Sequence, residues 1–185
     1  MPPKPKLNVQ NFPRPPLLEK TPRHLQVKWH GQTIADTKDA YWVLETYHPP
    51  STPFPSISHL KNPKKNPTNF YQTAYYLPTT SLSLPLTPTK KSTFCEWKGW
   101  ATYHSITLPF VEGRREETVK DRIWSYESPT WGYEGIKGYV SFYAGPWDCF
   151  VDGEEVKPQP GDFYGGWATG ELEGVIKGDA ATRWL

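Results

Sequence analysis

Twenty-one prolines divide this 185-residue chain into short pieces, and that division limits its fold more than any other feature. Proline lacks a backbone N–H and fixes φ, so it ends helices and is confined to the edges of sheets. Seven of the prolines fall in residues 1–23 and six in residues 48–69. The first stretch reads as an extended, polyproline-like arm anchored by Leu17-Leu18, and the second as a surface insertion. A body spans residues 24–157. Residues 158–185 form a glycine-rich extension expected to pack on it through Phe163, Tyr164, Trp167 and Trp184.

Within the body the apolar residues alternate. In "LQVKW" Leu25, Val27 and Trp29 share one face, the period of a half-buried strand. His30-Gly31 supplies the positive φ angles of a tight hairpin, with Thr33 to Asp36 returning antiparallel. "DAYWVLET" admits a helical stripe on Ala40, Val43, Leu44 and Tyr47 but is strand-like in its Tyr-Trp-Val, and it is read as a strand. "FYQTAYYLP" is a strand ended by Pro78, and "TTSLSLPLTPTKKS" is turn-rich. The remaining elements are "TFCEW", "WATYHSITL", "DRIWSYESP", "IKGYVSFYAG" and "WDCFVDGEEV", with a hairpin at Asp152-Gly153. Many short strands and almost no helix signal give an all-β, mostly antiparallel architecture.

Composition excludes several roles. Net charge is +2, and the doublets Lys64-Lys65, Lys90-Lys91 and Arg114-Arg115 lie apart in segments that read as loops. Nucleic acid needs a contiguous basic face, so it is not an expected partner. No run approaches the ~18 apolar residues of a membrane span. Two cysteines without a secretory signal point to free thiols in a reducing compartment, by default the cytoplasm. No flavin, nicotinamide or pyridoxal signature is present, so no cofactor is expected. Oligomeric state is not legible, and a dimer is compatible with the sequence.

"GQTIAD", "LET" at 44–46, "YYLP" at 75–78, "TFCEWKGWATYHS", "IWSYESP" and "IKGYVSFY" followed by "VDGE" occur in one order. Over Leu25 to Glu155 the chain resembles the domain-of-unknown-function family 427, sometimes labelled nucleotidyltransferase-like. The resemblance implies a compact, barrel-like β-tent, two antiparallel sheets meeting at an angle with a pocket between them. B-type methionine sulfoxide reductases and zinc-ribbon-like proteins are similar in architecture, and many such relatives bind zinc through paired C-x-x-C knuckles. Here Cys95 and Cys149 are isolated, with no histidine at ligand spacing, so no metal is expected. The nucleotidyltransferase label conflicts with the residues. That chemistry calls for paired carboxylates on metal ions or a phosphate-cradling loop, and the chain has neither a D-x-D pair nor a G-x-x-x-x-G-K loop.

The stretch "STFCEWKGWATYHS" concentrates the candidate chemistry. Alternation puts Thr93, Cys95 and Trp97 on one face, Tyr103 with Ala101, Trp124 with Tyr126, and Tyr139, Ser141 and Tyr143 together. Lys98-Gly99 is a bulge or turn that re-aims a side chain. One face thus presents Cys95, Tyr103, Trp124, Tyr126 and Tyr143, joined by Tyr76 and Thr93: aromatic walls with polar tips, the composition of a ligand pocket. Cys95, Glu45 and Lys98 are the candidate reactive groups. Each has a plain alternative: Cys95 as a small buried hydrophobe, Lys98 as a solvated cation, Glu45 as a rim residue, Trp124 and Tyr126 as core. His104 alternates away from Tyr103. The expected function is binding of a small cyclic or aromatic ligand. The alternatives are a small-molecule enzyme using Cys95 or Glu45, or a scaffold recruiting a partner through its proline-rich arm.

Overall fold

The computed structural model describes residues 5–45, 74–110, 112–161, 164–178 and 180–181. The insertion at 48–69, and Phe163 and Trp184 of the extension, lie outside the described residues. In chain order the strands are β1 (Leu7–Asn8), β2 (Leu17–Thr21), β3 (Leu25–Trp29), β4 (Gln32–Thr37) and β5 (Ala40–Leu44). They continue with β6 (Ala74–Pro78), β7 (Leu86–Cys95), β8 (Gly99–Leu108), β9 (Glu117–Ser125) and β10 (Tyr139–Phe142). The last are β11 (Asp148–Val151), β12 (Glu154–Glu155), β13 (Lys157–Pro158), β14 (Trp167–Ala168) and β15 (Leu172–Glu173). Helical structure among the described residues is limited to single 3₁₀ turns such as Glu134–Ile136. No helix there is long and apolar enough to cross a membrane.

Two antiparallel sheets carry the fold. One has seven strands in the order β2-β5-β6-β10-β9-β8-β7, the other four in the order β12-β11-β3-β4, and neither closes into a barrel. The predicted hairpins form as their sequences dictate. His30 and Gly31 take φ of 49° and 77° between β3 and β4, and Asp152 and Gly153 take 52° and 82° between β11 and β12. Paired positive φ is the geometry of a two-residue hairpin loop, which Asp-Gly reaches at little cost.

The segment expected to be turn-rich divides in two. Thr79–Ser81 is a 3₁₀ turn, but from Leu86 the chain is a ten-residue strand, β7. Pro88 is tolerated because β7 is an edge strand whose register shifts between Pro88 and Ser92, where no ladder N–H is demanded. Lys90-Lys91 therefore belongs to a strand and not a loop, and the Lys91 ammonium stands 4.1 Å from the Tyr103 ring centre. At the other edge, the end of the proline-rich stretch is β2, paired with β5 from Leu17↔Leu44 to Thr21↔Ala40. Further upstream, β1 pairs in parallel with β15 near the opposite end of the chain.

The sheets pack across one apolar core. It takes Leu25, Val27 and Trp29 from β3, Ile34 from β4, Cys149 and Val151 from β11, and Tyr75, Leu77, Ile106, Ile123 and Phe142 from the large sheet. Trp147 meets Trp29 and Phe142 edge-on at 5.9 and 5.3 Å. Its indole N–H donates to the Tyr143 carbonyl, and that of Trp167 donates to the Phe142 carbonyl, each at 2.7 Å. Fully burying a large apolar side chain contributes on the order of 1.5–3 kcal/mol, so this core sets the relative placement of the sheets.

Candidate functional site

The large sheet alternates between that core and a second buried cluster on its reverse face. Tyr75 and Leu77 point to the first, Tyr76 to the second; Ile123 to the first, Trp124 to the second. The second cluster contains Val43, Ala74, Tyr76, Cys95, Ala101, Tyr103, Trp124, Tyr126, Tyr133, Ile136 and Tyr143, and nothing from the four-stranded sheet. The aromatic group expected to look into a space between the sheets is thus assembled as the alternation predicts, but on the opposite face. The space between the sheets is filled by the Trp29–Trp147 core.

Strand register explains the assembly. Tyr41 lies opposite Tyr76, Ser141 opposite Trp124, and Trp124 opposite Tyr103. Val140 pairs with Leu77, which carries Ser141 alongside Tyr76. One lateral row therefore runs Tyr41, Tyr76, Ser141, Trp124, Tyr103 across five adjacent strands. Around it Tyr76 meets Trp124 edge-on at 6.5 Å and Tyr126 at 6.3 Å, and Trp124 meets Tyr143 at 5.1 Å. Thr93, half-buried, shares a 3.3 Å hydrogen bond with the Tyr103 hydroxyl.

The β7–β8 turn delivers the cation. Cys95 pairs with Gly99, so Glu96, Trp97 and Lys98 form the tip, and Gly99 holds φ at 90°, where a side chain is strained. The Thr130 amide and hydroxyl pin the tip by donating to the carbonyls of Lys98 and Trp97. Its side chain turned inward, Lys98 is only 2% exposed. Among the described residues its ammonium makes no hydrogen bond, nor does the buried hydroxyl of Ser141; the Trp124 indole N–H approaches Tyr76 Oη, whose own O–H finds no acceptor. Burial works against the charge of Lys98. The neighbouring acidic groups, Cys95 first, then Tyr76, Glu45 and Tyr133, outweigh burial and hold its pKa above the ordinary lysine value. Burial pushes the Tyr76 hydroxyl up to about 12, against the pull of Lys98. The Tyr126 hydroxyl is likewise raised well above its ordinary value, by burial foremost and then by its acidic neighbours, and it hydrogen-bonds Cys95. Glu45, at the end of β5, is 2% exposed and acts on Lys98, Tyr133 and Tyr164 through space.

Three remote segments cover this face. Tyr133 donates to the Pro16 carbonyl at 2.7 Å, tying the loop before β10 to the amino-terminal arm. The arm adds Leu18 against the cluster and Arg14, whose guanidinium lies 5.7 Å from the Trp97 ring centre. The carboxy-terminal extension brings Gly165 onto the Trp124 ring.

The structure brings Cys95, Glu45, Lys98, Tyr76, Tyr103, Trp124, Tyr126 and Tyr143 together on one face, with Thr93 at its margin. Sequence reasoning missed Ser141, Tyr133 and Gly165 as members. Ser141 carried a signal, a small polar residue sharing the face of Tyr139 and Tyr143; Gly165 carried none. On the other face, the His104 Nε2 bonds Ser125 at 2.8 Å, and Ser125 donates to Glu127 at 2.7 Å. The hydroxyl proton is committed to Glu127, so Nε2 donates and serine occupies the middle of the chain. That order is unlike a nucleophilic triad, in which the histidine is central.

A family model described as a domain of unknown function (DUF427) matches residues 17–65 and 67–156. The chain belongs to this family. A search of curated proteins returned no match.

Proposed function

We propose that the buried cluster on the reverse face of the large sheet is a binding site for a small cyclic or aromatic ligand. The observation that carries this reading is Lys98. A residue 2% exposed holds an ammonium with no hydrogen-bond acceptor, and among the groups that act on it Cys95, Tyr76 and Tyr133 belong to the aromatic cluster. Leaving the donors of a buried charged group unused costs about 1–3 kcal/mol or more, even where neighbouring groups favour the charge. Aromatic walls around a few polar groups are what small-molecule sites present. Ligand-induced thermal stabilisation across a panel of ring-bearing metabolites tests the reading. It fails if no compound raises the melting temperature of the wild type.

A second reading, turnover, rests on the contact between Cys95 and the Tyr126 hydroxyl beside Lys98. The thiolate form of a cysteine is its nucleophile. Covalent capture of Cys95 by a ring-bearing electrophile, lost in Cys95→Ala, separates turnover from binding alone.

A further inference from the structure

The site's donors indicate which chemical class of ligand it takes. We infer that the ligand is an organic acid whose oxyanion accepts hydrogen bonds from Lys98 Nζ and Tyr76 Oη while its ring packs against the aromatic wall of Trp124, Tyr126 and Tyr103. This rests on the ligand-site reading above and adds the head group to it.

Lys98 brings three N–H donors and Tyr76 one O–H, all buried and all unused among the described residues. Their electrostatic coupling puts both groups in one neighbourhood. Donors without acceptors select a ligand rich in lone pairs. A ketone or amide oxygen offers two lone pairs, whereas a carboxylate offers about four with a full negative charge. Charge-assisted hydrogen bonds are about twice as strong as neutral ones, and low local dielectric enlarges the difference. Glu45, Cys95, Tyr133 and Tyr126 also face this region. Glu45 influences Lys98 through space and not as its hydrogen-bonded acceptor, so the ammonium keeps its donors.

The same neighbours decide against a competing use of the lysine. Schiff-base formation needs a neutral amine, which in other proteins comes from an apolar pocket or an adjacent cation that lowers the pKa. Here the carboxylate among its neighbours, Glu45, acts on the amine through space and favours its protonated form. Lys98 is therefore a charge partner and not a carbonyl-capturing nucleophile.

Titration calorimetry with matched pairs provides the test: benzoate against benzamide, and indole-3-acetate against indole-3-acetamide. Phenyl phosphate separates a carboxylate site from a phosphate site. In the wild type each acid is expected to bind on the order of tenfold or more tighter than its amide. Lys98→Met is expected to remove that preference while leaving amide binding in place. Tyr76→Phe, which retains the ring, is expected to reduce the preference by a smaller factor, and it keeps the test open if Lys98→Met fails to fold. Amides that bind as tightly as acids, or a preference that survives both substitutions, overturn the inference while leaving the ligand site standing. If none of the ring compounds binds the wild type, the ligand-site reading fails and the head-group assignment falls with it.

Discussion

Gly165 sits directly on the Trp124 indole: a β-carbon added at Gly165 would stand 2.4 Å from Trp124 Cη2 and 2.7 Å from Cζ3. No real β-carbon comes that close, and the indole is a rigid ring held edge-on between Tyr76 and Tyr143. Gly165→Ala is therefore expected to destabilise the fold by about 1–3 kcal/mol, the range of overpacking substitutions. Denaturant unfolding monitored by tryptophan fluorescence measures it. An unchanged midpoint would show that the extension does not rest on Trp124.

Lys98→Met tests the charge balance of the cluster. Replacing the ammonium by an apolar chain of similar length removes a desolvation cost, but it also removes the cation that the buried Glu45 carboxylate acts on. The ligand-free variant is expected to be less stable than the wild type by about 1 kcal/mol or more, because a buried carboxylate loses a neighbouring counter-charge. Thermal melts without ligand would count against this account if the variant proved as stable as the wild type.

His104 predicts a pH dependence. Burial foremost, opposed by Glu127, sets its folded pKa below the ordinary 6.5. The unfolded chain thus binds the proton more readily than the folded one. The contribution of His104 is complete above about pH 6.5 and is lost as pH falls from there through the lowered folded value. Denaturation midpoints across this window should drop with pH in the wild type and drop less in His104→Gln. Parallel curves for the two proteins would assign the effect to other groups.

Both thiols are buried, Cys95 2% and Cys149 1% exposed, so their labelling rates report which of the two surroundings opens first. Cys95 lines the candidate site, whereas Cys149 sits in the inter-sheet core, its thiol pKa pushed well up by burial first and by Asp148 second. Iodoacetamide is expected to modify Cys95 faster than Cys149, with a bound ring compound protecting Cys95. Mass spectrometry of labelled peptides reads both rates, and equal rates would mean that labelling follows global unfolding.

Much of this was legible in the residues, for definite reasons. His30-Gly31 and Asp152-Gly153 specify their own turns, and two-residue periodicity correctly grouped Cys95, Tyr103, Trp124 and Tyr126. Periodicity, however, states only which side chains share a face. The choice of face to be covered by the second sheet depends on long-range packing of Trp29, Trp147 and Phe142, which no local pattern encodes. That is why the cluster was expected between the sheets and stands behind one of them. The first part of β7, Leu86 to Ser92, was missed because Pro88 and Lys90-Lys91 read locally as turn and loop, while an edge strand tolerates both; its end, from Thr93, was read as strand. The inward turn of Lys98 follows from the positive φ of Gly99 and the grip of Thr130, and the second of these is a partner 32 residues downstream of Lys98.

Gly165 lies outside the stretch matched to the family, which ends at residue 156. A protein trimmed to that stretch would keep every strand of the large sheet and lose part of the cover over its aromatic face. On the proposed reading, shape selectivity would then be set by a length of chain that supplies neither Lys98 nor Tyr76.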